Sequence, residues 1–169
     1  MKKTFENVRK LLETRDYEKA LKILKEARSD KEDQAEAYRM LGYVYYQMRD
    51  FDASIENSTK SINLGNLGFM ETNMAHYFRG RAAADSLNYD LAISDSWTLL
   101  KFAETDSDSL DDAYDIIEII LNSDFSKVCS QTKLRLEELL LQALKLENAR
   151  SKNLPLETSS LLDKLRLQL

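Results

Sequence analysis

A single histidine, His76, and a single cysteine, Cys129, bound the chemistry open to this 169-residue chain. General-base catalysis and zinc binding lean on imidazole or thiolate groups held in sets. Neither residue has such a partner nearby in sequence, so His76 reads as a packing or surface hydrogen-bonding residue and Cys129 as a small buried one on a helix. Carboxylates are far more numerous. The stretch Glu104-Thr105-Asp106-Ser107-Asp108-Ser109-Leu110-Asp111-Asp112-Ala113-Tyr114-Asp115 is densely acidic, and residues 85–125 hold eleven acids against one base. A calcium loop counted from Asp106 needs Gly at its sixth position and Glu at its twelfth. Asp111 and Ile117 stand there, so that reading fails. Hydrolytic carboxylate pairs must face each other across a cleft, whereas Asp111 and Asp112, adjacent on a helix, point apart. The block reads instead as a polar loop that feeds acids into a helix N-terminus, where they complement the dipole. No Gly-rich phosphate loop, HExxH or Gly-x-Ser-x-Gly pattern is present. The expectation is a protein that is not an enzyme, with no catalytic residue, no metal and no cofactor.

The elements that must position any working surface are helices. One Pro and four Gly leave little turn chemistry for β-hairpins or phosphate-cradling loops, while 43% hydrophobic and 31% charged residues make an ordinary globular balance. A net charge of −5 repels a nucleic-acid backbone. One cysteine forbids an intrachain disulfide, and the charged start Met1-Lys2-Lys3-Thr4-Phe5-Glu6-Asn7-Val8-Arg9 lacks the apolar run of a signal peptide. A cytoplasmic protein is expected, with no nucleic-acid or membrane partner.

A pattern recurs along the chain. A triplet of any residue, Asp or Asn, and an aromatic stands at Arg15-Asp16-Tyr17, Arg49-Asp50-Phe51, Leu87-Asn88-Tyr89 and Ser123-Asp124-Phe125, at spacings of 34, 38 and 36 residues. Three residues after each aromatic comes a small or β-branched residue, Ala20, Ser54, Ala92 or Val128. Four further on come Leu24, Ser58, Ser96 and Thr132. Before the second triplet lies Tyr38-Arg39-Met40-Leu41-Gly42-Tyr43-Val44-Tyr45. Small residues at Ala20, Gly42, Gly80 and Ala92 allow two helices to approach, and aromatics at Tyr17, Phe51 and Tyr89 fill the wedge at the turn. Asp16, Asp50 and Asn88 are placed to cap the helices that follow them. Neither helix of such a unit can bury its apolar face alone, so units must stack.

Residues 1–102 resemble three tetratricopeptide repeats, a family whose helix-turn-helix unit is 34 residues long. Units near 1–34, 35–68 and 73–106 are expected, followed by a divergent helix pair over 109–150 and a terminal helix over 155–168, all in one domain. Residues Ala35 to Gly68 carry the best match. The first unit holds Thr4, Asn7, Val8 and Leu11 where the second has Tyr38, Leu41, Gly42 and Tyr45. The third holds His76, Arg79, Gly80 and Ala83. The family's usual proline at the repeat end is missing, and four inserted residues follow Asn63-Leu64-Gly65-Asn66-Leu67-Gly68. The resemblance implies an all-α, right-handed α-α superhelix with a C-terminal capping helix.

The same resemblance implies a function: first helices line a concave groove that grips a peptide or protein segment. Its outward-facing slots fall on Phe5, Arg9 and Leu12, on Arg39, Tyr43 and Tyr46, and on Met74, Tyr77, Phe78 and Arg81. The candidate binding set is Arg9, Leu12, Arg39, Tyr43, Tyr46, Met74, Tyr77 and Arg81, with Phe5, Leu12 and Phe78 also suited to packing between repeats. Interfaces favour Tyr, Met and Arg. In the branch that clamps chaperone tails, five slots here read Phe5, Arg9, Met40, Met74 and Phe78, only one of them basic. An apolar or mixed peptide with one or two acidic residues therefore fits better than a chaperone tail.

Beyond Ser109 the helical spacing continues through Leu110, Ala113, Tyr114, Ile117, Ile120 and Leu121. A longer helix is expected from Ser126 to Ala149 through Val128, Leu134, Leu136, Leu139, Leu140 and Leu144. Pro155 opens a last helix with Leu161, Leu162, Leu165 and Leu169 on one face. That face reads as a cap on the final apolar edge. A self-assembling scaffold or homodimer built on it is the alternative, and a small secretion-type chaperone is another.

Overall fold

The structure, a computed structural model, describes residues 2–123, 128–150, 160–161 and 163–165. Among the described residues every regular element is a helix: α1 (Lys2–Glu13), α2 (Tyr17–Ala27), α3 (Gln34–Gln47), α4 (Phe51–Leu64), α5 (Phe69–Asp85), α6 (Tyr89–Phe102), α7 (Asp108–Asn122) and α8 (Ser130–Arg150). Helices α1 to α4 pack each on the next, and α6 packs on α7 and on α8, in an all-α helical-repeat fold. Two compact units divide the chain, Met1–Ala82 and Ala83–Leu169.

Three of the recurring triplets build the same turn. Arg15, Arg49 and Leu87 each adopt a left-handed conformation, with φ of 58°, 62° and 64°. The amide of each donates to a carbonyl three residues back, and the amide of the next residue donates to one five back. These pairs are Arg15 to Leu12 and Asp16 to Leu11, Arg49 to Tyr46 and Asp50 to Tyr45, and Leu87 to Ala84 and Asn88 to Ala83. This double bond closes a helix C-terminus and usually recruits glycine, because a side chain there costs about 1–2 kcal/mol. The second residue of each triplet then caps the next helix. Asp16, Asp50 and Asn88 accept from the amides of Lys19, Ala53 and Leu91 at 3.4, 3.2 and 3.4 Å. One residue thus ends one helix and begins another. The fourth triplet departs from the rule: Ser123 is extended, with ψ near 178°, and Asp124 and Phe125 lie outside the described residues.

In the first unit α1, α2 and α3 share a core of Phe5, Val8, Ala20, Leu24, Met40, Leu41 and Val44. Burying each of the large members stabilises the unit by roughly 1.5–3 kcal/mol. The expected small and second-face positions are closed to solvent, with Ala20, Leu24, Ser54 and Ser58 all at 0% exposure. Between α3 and α4 the seam is polar. The Ser54 hydroxyl donates to the Gly42 carbonyl at 2.8 Å and the Ser61 hydroxyl to the Ala35 carbonyl at 2.7 Å. Short side chains bring the helices together; the Ser54 and Ser61 hydroxyls find partners on the facing backbone, so their burial costs little, whereas the buried Ser58 hydroxyl beside Gly42 has none among the described residues. Gly65, at φ 68°, ends α4. The inserted residues enter the first turn of α5, which begins at Phe69 and runs for 17 residues against 14 in α3.

In the second unit α6 packs against both α7 and α8. Ile93, Leu99, Ile116, Ile117, Ile120, Leu136, Leu139 and Leu140 are sealed inside, and the hydroxyls of Tyr89 and Ser123 meet at 2.7 Å. The acidic block behaves as its composition predicts. Asp106 accepts from the Ser109 amide at 3.2 Å and from its hydroxyl at 2.6 Å, at the head of α7. Three expectations for α8 need correcting. The helix begins at Ser130 rather than Ser126, Cys129 is exposed ahead of it rather than buried within it, and Leu134 is 57% exposed. Leu134 points away because α8 turns its Leu136, Leu139, Leu140 and Ala143 stripe inward. Residues 160–161 and 163–165 are helical, with Leu161 and Leu165 buried and Lys164 3.7 Å from Glu118 of α7, as a cap requires. Pro155, Leu162 and Leu169 lie outside the described residues.

Candidate functional site

Helices α1, α3 and α5 of the first unit converge on an open cavity of about 540 Å³, lined by Arg9, Leu12, Glu13, Arg39, Met40, Tyr43, Met70, Glu71 and Met74. Five of the eight candidate residues meet there: Arg9, Leu12, Arg39, Tyr43 and Met74. Its apolar surface comes from Leu12, Met40, Tyr43 and the two α5 methionines. Met70 is 73% exposed and Met74 40%, which is high for long apolar side chains and leaves them available to another molecule. Burial, with a smaller contribution from nearby Tyr17, holds the Tyr43 phenol above its ordinary pKa and keeps it a neutral hydroxyl. A second cavity of about 400 Å³ adjoins the first, sharing Arg9 and Glu71 and adding Phe5, Glu6, Glu36, Asn66, Leu67 and Gly68.

Arg39 does not face outward as its slot implies. It is 6% exposed, and its guanidinium forks onto Glu36, with Nε and Nη2 each 2.6 Å from a carboxylate oxygen. Its third edge lies 3.6 Å from the Met74 sulfur. A planar fork on a carboxylate three residues back is a strong local arrangement, so Arg39 ties α3 to α5 and its charge is already balanced. Arg9 is the more accessible cation, 59% exposed at the side chain and 3.7 Å from Glu36.

The other three candidates gather further along α3 and α5. The Arg81 guanidinium stacks over Tyr46 at 5.1 Å and Tyr77 at 5.3 Å, and donates to the Tyr77 hydroxyl at 2.7 Å. Phe78 completes the group, 4.8 Å from Tyr43, 6.0 Å from Tyr46 and 5.0 Å from Tyr77. Phe5 and Phe78 are both 8% exposed and serve packing. Stacking of this kind contributes about 0.5–2 kcal/mol per contact and rigidifies the wall. His76 is half-buried.

Sequence reasoning missed Met70, Glu71, Glu13 and Glu36. Met70 precedes Met74 by four residues, one helical turn, but it lay in the stretch assigned to an insertion. Glu36 precedes Arg39 by three, a spacing that brings opposite charges together on a helix.

Among the described residues no helix is long and apolar enough to cross a membrane, and no group of three or more His, Cys, Asp or Glu is placed to hold a metal ion. No protein-family model matches the chain, and no curated protein matches it in sequence.

Proposed function

We propose that this protein is a tetratricopeptide-like interaction module that performs no chemistry of its own and grips a segment of another protein in the groove formed by α1, α3 and α5, within the cytoplasm. The observation that carries the reading is the pair of exposed methionines, Met70 and Met74, standing one turn apart over a pocket floored by Leu12, Met40 and Tyr43. Methionine adapts its shape to varied apolar guests and is favoured on surfaces that bind other proteins. The thrice-repeated hairpin turn supports the family resemblance, because the same left-handed residue followed by a capping Asp or Asn returns at a near-constant stride.

Screening a peptide library with wild-type protein and with Met70→Asp/Met74→Asp tests this. Both positions are exposed, so the variant keeps its helical circular-dichroism spectrum while losing the peptides that wild type retains. Identical retention by both proteins would remove the groove from the account.

A further inference from the structure

The charge around the groove deepens that reading and reverses one expectation about its guest. The two adjoining cavities are lined by four carboxylates, Glu6, Glu13, Glu36 and Glu71, and by two guanidiniums, Arg9 and Arg39. Two positive charges against four negative leave a lining of −2. Arg39 and Glu36 cancel one another through their fork. What remains toward solvent is Arg9 against Glu6, Glu13 and Glu71. Arg9 and Arg39, which would attract an acidic peptide if they stood alone, are therefore outnumbered at the site itself.

We infer that the groove takes a basic, apolar-anchored segment of a partner protein, with leucine- or phenylalanine-like side chains against Met70 and Met74 and lysine or arginine side chains against Glu6, Glu13 and Glu71. A flexible methionine surface accepts large anchors in more than one pose, and an acidic rim selects cationic flanks while repelling anionic ones. The inference rests on the groove being the binding site, and it adds the chemistry of what enters.

Two synthetic peptides with the same leucine and phenylalanine anchors, one bearing lysine and the other glutamate at the intervening positions, are titrated against the full chain by fluorescence anisotropy. The lysine peptide binds wild type at least roughly tenfold tighter than the glutamate peptide, and salt narrows the difference because exposed charges are screened over about 10 Å at 0.1 M. Glu13→Lys/Glu71→Lys inverts the preference, and the milder Glu13→Gln/Glu71→Gln abolishes it. Thermal melts confirm that each variant is folded. If wild type prefers the glutamate peptide and Met70→Asp/Met74→Asp still weakens that binding, the groove stands and the basic partner is wrong. If neither peptide binds, or binding ignores the methionine substitutions, both readings fall.

Discussion

A β-carbon added to Gly42 would lie 2.2 Å from the Ser58 hydroxyl and 3.3 Å from the Ser58 backbone nitrogen. The first distance is far inside contact range and the second is merely tight, so the obstruction comes from one movable atom on an otherwise close helix pair. Gly42→Ala loses about 1–3 kcal/mol through overpacking and regains up to about 1 kcal/mol of helix propensity, so a net destabilisation of the first unit by up to about 2 kcal/mol is expected. Gly42→Ala/Ser58→Ala recovers most of that loss, since the offending oxygen is gone. Thermal melts of the two single variants and the double variant supply the coupling, and purely additive effects would show that the α3–α4 seam is looser than described.

Leu87 is 62% exposed and sits at φ 64°. Leu87→Gly relieves a left-handed strain of about 1–2 kcal/mol. It also lends the unfolded chain roughly 0.5–1 kcal/mol of extra entropy. The net expectation is a stabilisation of about 0.5–1 kcal/mol, whereas Leu87→Val destabilises because a β-branched residue tolerates that backbone least. Urea unfolding with unchanged slope and shifted midpoint is the readout.

Arg39 and Glu36 form one unit. Glu36→Gln leaves a guanidinium at 6% exposure with a weaker partner, and a loss of roughly 1–3 kcal/mol is expected. Arg39→Met/Glu36→Leu is milder than either single change, because replacing both members of a buried pair removes the desolvation burden along with the attraction. Guanidinium titration of the three variants checks the order.

Cys129 stands just ahead of α8, its sulfur 3.2 Å from the Thr132 hydroxyl. Hydrogen bonds from that hydroxyl and then from the Thr132 backbone amide hold the thiol below its ordinary pKa. A lowered value means that thiolate forms at lower pH in the folded chain than in the unfolded one. Alkylation by iodoacetamide followed against pH should therefore show its midpoint at lower pH in native protein than in urea. Thr132→Val moves the native midpoint upward, and coincident profiles would contradict the contact.

The repeat was legible because its signals are local. An aromatic, a capping Asp and a small residue three positions on are dictated by a turn that closes within a few residues, and Asp16, Asp50 and Asn88 all perform as their positions predict. What escaped depends on contacts between helices. Arg39 occupies a slot that a repeat pattern reads as outward, but Glu36 and Met74 capture its guanidinium, and no spacing rule weighs a local carboxylate against a distant ligand. Cys129 was assigned to a helix by apolar periodicity through Val128, although α8 begins only at Ser130. Met70 escaped because it falls among the four inserted residues between repeat units, which lengthen α5 at its start.

The shared turn leaves the chain unequal in where it accepts extra length. Within each of the first three hairpins the helices are joined by residues 14–16, 48–50 and 86–88 alone, every one of them tied into the C-terminal bonds or the cap. Between hairpins the joins are residues 28–33, 65–68 and 103–107; the last is bonded along its whole length, from the Ala103 amide to the Asp106 carboxylate, whereas the exposed Lys31 in the first takes no part in such bonds. A reporter epitope spliced after Lys31 should therefore be tolerated, while the same epitope after Arg49 would unlatch two helices at once.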